Sequence, residues 1–229
     1  MPSAPEYLST VRGFFDRQYT DHERYWWRGP NRYSTDPADH TAYNAAWLAA
    51  AAQRAPGRAL DLGSGEGADA IRLARLGYQV DAIDVSAVAC EKAERFARAE
   101  RTSIAVRCEP VETAILTGSY DVVLMNGSLH YVRDKGSLLT RAAAASAEGA
   151  IHAVALFSTA TPVPGEHAAI PVFPDKEGGT VELFYNGWQP LLNARERDRA
   201  EHSHPGFAPH AHSYVKLVAA RPSGRRAAR

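Results

Sequence analysis

Only two cysteines occur in the 229 residues, Cys90 and Cys108. They are too few for a disulfide framework, and they lack the paired spacing of a metal site. Lysine is nearly as scarce: arginine outnumbers it 22 to 4, and the 26 basic residues are balanced by 26 acidic ones. A chain with a formal net charge of zero lacks the long-range field that gathers nucleic acid. No run of about 18 apolar residues is present, and the opening MPSAPEYLST has neither the charged nor the apolar region of a secretory signal. These absences lead us to expect a soluble, cytoplasmic monomer or homodimer with no nucleic-acid and no membrane partner. The length suits one α/β core with an N-terminal addition.

What is present begins at Arg58. From there, apolar runs near 58–62, 79–83, 103–107, 120–125 and 150–157 alternate with amphipathic stretches near 67–76, 86–100 and 136–147. That alternation is the signature of βαβ units in a parallel sheet. WQPLLNARERDRAEH and HSYVKLVAAR then read as two strands of an antiparallel hairpin, separated by the turn-rich SHPGFAPHA. Pro162–Pro174 reads as a loop over the substrate, and SGRRAAR as a disordered tail.

The stretch ALDLGSGEG, Ala59 to Gly67, carries the chemistry. An apolar strand ends in Asp61 and turns through Gly63, Ser64 and Gly65 into a helix, so that backbone can approach a ligand closely. Gly63, Gly65 and Ala68 also satisfy the dinucleotide fingerprint, with Asp84 about 20 residues on. Asp61 separates the two readings. A carboxylate two residues before the first glycine opposes a pyrophosphate and suits a ligand with an ammonium group. Asp84, with Val85 beside it, closes the second strand, where a carboxylate can accept hydrogen bonds from both ribose hydroxyls. Its alternative role is a helix cap shared with Ser86.

LDLGSGEG, VDAIDVS and YDVVLMNGSLHYV together resemble the class I S-adenosylmethionine-dependent methyltransferases, over about Arg58 to Ala220. The finer spelling is similar to the branch that holds the tellurite-resistance and thiopurine-type small-molecule enzymes. The resemblance implies a doubly wound, mostly parallel seven-stranded sheet with a C-terminal antiparallel hairpin, and S-adenosyl-L-methionine as cofactor. It also implies a small-molecule acceptor: a natural product, a thiol or a chalcogen oxyanion. Ser64 stands where the family most often has cysteine, and Ala68–Asp69 replaces a frequent Arg–Asn pair. Asn126-Gly127-Ser128-Leu129 departs from the Asn/Asp-Pro-Pro-aromatic sequence of base-methylating members.

In this frame Asn126 is expected to contact the cofactor, and Glu109 to accept the adenine amino group. His130 is the candidate catalytic base and substrate contact, with fastening of its loop as the competing role. Residues 1–57 are rich in aromatics and are expected to form a helical lid, with Trp26 and Tyr33 facing the substrate. Adjacent Trp26 and Trp27 cannot share one helix face, so at least one should point away from the core. The histidines at 202, 204, 210 and 212 alternate as a metal site would, but no acidic or cysteine ligand accompanies either pair and no metal is expected. His210 is assigned instead to the substrate. The domain reading is thus a lid over 1–57, a cofactor-binding domain over 58–221 and a tail over 222–229. Two other functions remain open: a NAD-dependent oxidoreductase built on the same glycine turn, and a non-catalytic partner protein that binds S-adenosylmethionine.

Overall fold

A computed structural model describes residues 4–26, 31–163, 170–201 and 210–223. Two helices come first, α1 (Ala4–Asp21) and α2 (Ala42–Ala52). The alternation read from the sequence follows as β1 (Arg58–Leu62), α3 (Ala68–Arg75), β2 (Gln79–Asp84), α4 (Ala87–Ala99), β3 (Ala105–Cys108) and β4 (Tyr120–Asn126). The chain continues through α5 (Lys135–Ala144), β5 (Ser146–Phe157), the short α6 (Thr180–Phe184), β6 (Gln189–Glu201) and β7 (His210–Ala220). The seven strands form one sheet in the order β3-β2-β1-β4-β5-β7-β6. The first five are parallel, and β7 enters antiparallel between β5 and β6.

Each strand's two-residue period sorts its side chains onto the two faces. On β4, Val123 and Met125 join α5 and α6 in one core through Leu138, Leu139, Val181 and Tyr185. Val122 and Leu124 join the opposite core, which α2 and α3 complete with Tyr43, Trp47, Leu48 and Leu73. α2 is therefore not part of a lid. Trp47 and Leu48 are wholly buried beneath the sheet, so the boundary expected at residue 57 runs through one packed body. The aromatic richness of 1–57 has two destinations, because α1 lies over the sheet's carboxyl edge against α4, while α2 builds the core.

The helix expected over 136–147 ends at Ala144, and strand pairing of Ser146 with Tyr120 has already begun two residues later. The alanine-rich run carries no local stop signal, so the sheet decides the boundary. His210 starts β7, and His202 and His204 fall outside the described residues, as do Trp27 and the end of the expected tail. No helix among the described residues is long and apolar enough to cross a membrane.

His152 lies at the centre of β5, fully buried, between Ser146 Oγ and Tyr185 Oη at 2.8 Å each. Ser146 spends its proton on the Ala142 carbonyl, so it accepts from His152 Nε2–H, and Nδ1 accepts from Tyr185. Burial, reinforced by the nearby Arg221 cation, pushes the imidazole pKa down to about 3. Between there and about 6.5 the unfolded chain binds a proton that the folded chain refuses. Stability should therefore be full above pH 6.5 and fall by about 1.4 kcal/mol per pH unit below it. Urea unfolding of the wild type and His152→Gln from pH 7 to 4.5 checks this. The substitution should remove that slope, and equal slopes in both proteins would contradict it.

Candidate active site

β1 and β4 are neighbours whose connections leave in opposite directions, so a crevice opens at their carboxyl ends. A cleft of about 390 Å³ occupies it. Its floor is the glycine turn. Gly63 and Gly65, the glycines expected to admit a ligand, adopt positive φ of 77° and 52°. A different cause operates at Gly63, where a Cβ would collide with the Ser128 side chain. At Gly65 a Cβ would stand 2.7 Å from the Tyr19 hydroxyl.

The turn's amides are already committed. Gly63 and Ser64 N–H both donate to the Ile83 carbonyl at 2.7 and 3.1 Å, Gly65 N–H donates to Asp84 Oδ2 at 2.8 Å, and Gly67 N–H donates to the Ser64 carbonyl at 2.9 Å. A phosphate-binding turn presents such groups to its ligand. Here they stitch β1 to β2.

Around the turn the polar groups are mostly acidic. Asp61 is buried, and its Oδ2 has no hydrogen-bond partner among the described residues. Burial, with Asp69 and Asp84 nearby, holds its pKa well above the usual carboxylate range. The buried Ser64 Oγ and Tyr43 Oη, both on the cleft wall, likewise have no partner among the described residues. Asp69, in the first turn of α3, accepts from Asn126 Nδ2 at 2.7 Å and from the buried Arg72. These groups leave unmet polar demand on one side of the cleft, which a cationic and hydrogen-bonding ligand would satisfy.

Asp84 receives the Ser86 amide on Oδ1 at 2.9 Å, as well as the Gly65 amide on Oδ2. Burial raises its pKa, and those amides work against the rise. Ser86, not Asp84, caps α4, through Ala89 N–H at 3.1 Å. The carboxylate keeps further lone pairs for a ligand on the cleft side.

α1 covers this half of the site. Tyr19 Oη accepts from Trp26 Nε1 at 2.8 Å, and the Tyr25 amide is held by Glu66 of the glycine turn at 3.0 and 3.1 Å. The buried Lys92 of α4 bonds the carbonyls of Tyr19 and His22 at the end of α1, 3.6 Å from Glu66. The turn and its cover are thus fastened through one buried ion pair. Trp26 remains 47% exposed, in keeping with one of the two tryptophans facing away from the core.

At the other end, His130 sits in a 3-10 turn (Leu129–Tyr131) that follows β4. It is buried, stacks on Phe157 with ring centres 3.8 Å apart, and its Nδ1 accepts the Phe157 amide at 3.4 Å. A neutral ring so held carries its proton on Nε2.

Of the residues singled out from sequence, Asp61, Gly63, Ser64, Gly65, Asp84, Val85, Asn126, Trp26, Tyr33 and His130 all line this cleft. Two do not. Glu109 lies at the sheet edge in an ion pair with Arg107, and three residues on it is Glu112 that lines the cleft, receiving the Tyr7 hydroxyl at 2.6 Å. The chain turns after β3, so the register of the strand does not carry to the acid that faces inward. His210 is outside the cleft wall, with its Nε2 2.9 Å from His212 Nε2. Tyr43, Arg72, Arg199 and Lys216 line the cleft and were not foreseen. Of these only Lys216 had a signal, as the single lysine or arginine of β7, in step with His212 and Tyr214.

Residues 60–152 match a family model described as a methyltransferase domain. A ubiquinone biosynthesis O-methyltransferase from Rhodopseudomonas palustris is 34% identical over 98 residues, covering 43% of this chain and 39% of that protein. Among solved structures, a 1,6-didemethyltoxoflavin N1-methyltransferase from Burkholderia thailandensis superposes with a TM-score of 0.67 at 19% identity, covering 97% of this chain and 92% of its own. TehB from Haemophilus influenzae gives 0.66 at 18% identity, covering 80% and 64%. The chain therefore spans about two fifths of its curated relative and just under two thirds of TehB. At these identities the structural likenesses establish the fold.

Proposed function

We propose that this chain is a class I S-adenosylmethionine-dependent methyltransferase that moves the methyl group of that cofactor to a small-molecule acceptor, in keeping with the methyltransferase-domain match over residues 60–152. The observation that carries the reading is the set of buried, unpartnered polar atoms on one cleft wall: Asp61 Oδ2, Ser64 Oγ and Tyr43 Oη. They suit the ammonium and carboxylate of an amino acid. A pyrophosphate would meet the Asp61 carboxylate and amides already spent on Ile83 and Asp84, which counts against a nicotinamide dinucleotide.

When bound, S-adenosylmethionine supplies a methyl carbon already activated by a cationic sulfur. Asp61, Ser64 and Tyr43 would hold its amino-acid end, and Asp84 with Val85 its ribose. The chain's remaining work is to orient the acceptor and exclude water. Phe15, Tyr19 and Trp26 close the cleft from α1 and its exit, which removes water from the reacting atoms. We assign His130 a donor role in place of the base expected from sequence. With Nδ1 accepting the Phe157 amide, Nε2–H is a donor, suited to hold an acceptor's nucleophilic atom in line. The aromatic walls favour a planar organic acceptor over a chalcogen oxyanion.

Calorimetric titration tests the cofactor. S-adenosylhomocysteine should bind and NAD should not. Because Asp61 in the free protein has a raised pKa, its carboxylate is formed only as pH climbs through that value. Affinity should therefore rise with pH as that carboxylate forms, and Asp61→Asn should flatten the dependence while weakening binding roughly tenfold or more. Binding of NAD instead, or an unchanged profile in the variant, would contradict the assignment.

For His130 the expected outcome is kinetic. His130→Gln, which keeps a donor, should retain more turnover than His130→Ala, whose loss should be about 10–100-fold, as for one charge-assisted hydrogen bond. Neither variant should remove a limb of the pH–rate profile. Loss of an ascending limb near neutrality would restore the base role.

A further inference from the structure

The wall of the cleft opposite the acidic turn is built by the hairpin. His212, Tyr214 and Lys216 alternate along β7 and so share one face of the sheet. Beside them on β5, Phe157 pairs with Tyr214 and Ala155 with Lys216. The Phe157 ring lies nearly parallel between His130 and His212, at 3.8 and 4.0 Å and tilted by 18° and 16°. Next to this flat stack, the small Ala155 leaves room over the sheet in front of Lys216.

Two cations meet there. Lys216 Nζ and Arg199 Nη1 both bond Glu196 Oε2, at 2.7 and 3.0 Å. Lys216 and Arg199 line the cleft and Glu196 does not. The two cations share this carboxylate, and it is the cations that line the cavity. The Lys216 side chain is 8% exposed, so its charge acts through little water. Burial would raise the pKa of Glu196, but Lys216 and Arg199 together hold it below the ordinary range, so the carboxylate does not switch off near neutrality. The acids of the cofactor half, Asp61, Asp69 and Asp84, are on or beside β1 and β2, at the other end of the cleft.

We propose that the acceptor is a planar, aromatic-type molecule that carries an anionic group, a carboxylate by preference, seated against Lys216 and Arg199 while its flat body lies over Ala155, beside Tyr214 and the edge of the Phe157 ring. This rests on the methyltransferase reading and names the substrate class for it. A neutral acceptor would leave the paired cations facing apolar ligand surface, whereas an anion replaces their water with charge-assisted bonds.

The test is ligand-observed NMR with benzoate, salicylate and 4-hydroxybenzoate, each compared with its carboxamide. It is run on the free protein and on protein with S-adenosylhomocysteine. The acids should bind about tenfold or more tighter than their amides, consistent with one charge-assisted bond. The Lys216→Met, Arg199→Gln double variant should abolish the difference without changing S-adenosylhomocysteine affinity. Arg199→Gln alone, on the exposed outer strand, should reduce it and guards against a misfolded double variant. Equal binding of acids and amides, absence of binding by the acids, or a preference that survives the double substitution would overturn the proposal. Failure of S-adenosylhomocysteine to bind would instead count against the methyltransferase reading, so the two failures are distinguishable.

Discussion

The carbonyl of Ile83, accepting from the amides of both Gly63 and Ser64, is the constraint on which the site depends. It draws the exit of β1 against the end of β2, and Asp84 completes the closure by taking the amide of Gly65. The turn is therefore made rigid by its neighbour strand and not by a ligand. Because the closure uses the amides, what the turn offers a ligand is side-chain chemistry, the buried Asp61 carboxylate and Ser64 hydroxyl, to which α2 adds the Tyr43 hydroxyl. The same closure aims the buried Glu66 at the segment after α1, where it holds the Tyr25 amide and, with Lys92, anchors the cover that α1 provides. One local hydrogen-bond arrangement thus fixes the floor, selects against phosphate, and positions the roof.

The cleft is chemically divided along the sheet. Asp61, Asp69 and Asp84 gather where β1 and β2 end, with Arg72 paired to Asp69, and Lys216 and Arg199 stand where β6 and β7 pair, with His130 and Phe157 between them. A methyl donor with a cationic sulfur and an ammonium group belongs at the first end. An electron-rich acceptor with an anionic handle belongs at the second. His130 stands at their junction, and its bond to the Phe157 amide decides which nitrogen carries the proton.

Sequence showed the parts that local patterning dictates. The parallel strands, the hairpin, the glycine turn and Asp84 all follow from period, spacing and turn chemistry, which are properties of neighbours in the chain. It did not show Tyr43, because nothing distinguishes one tyrosine among the aromatics of 1–57 until α2 packs against the sheet and points it into the cleft. Glu109 and Glu112 lie three residues apart, and only the turn after β3 decides which faces inward. His210 and Lys216 share a strand face, yet the cleft wall begins at Tyr214, a limit set by where β5 ends. Gly63 was legible as a glycine that must stay a glycine, for a reason, the Ser128 side chain, that lies 65 positions away.

The central claim is that the unpartnered atoms of Asp61, Ser64 and Tyr43 await the amino-acid end of an adenosyl ligand. A crystal structure with S-adenosylhomocysteine tests it most directly. The ligand's ammonium group should lie within hydrogen-bond distance of Asp61 Oδ2, its carboxylate should be bonded by Tyr43 Oη or Ser64 Oγ, and its ribose should rest on Asp84. A ligand lying elsewhere, or one that leaves these three atoms without partners, would contradict it.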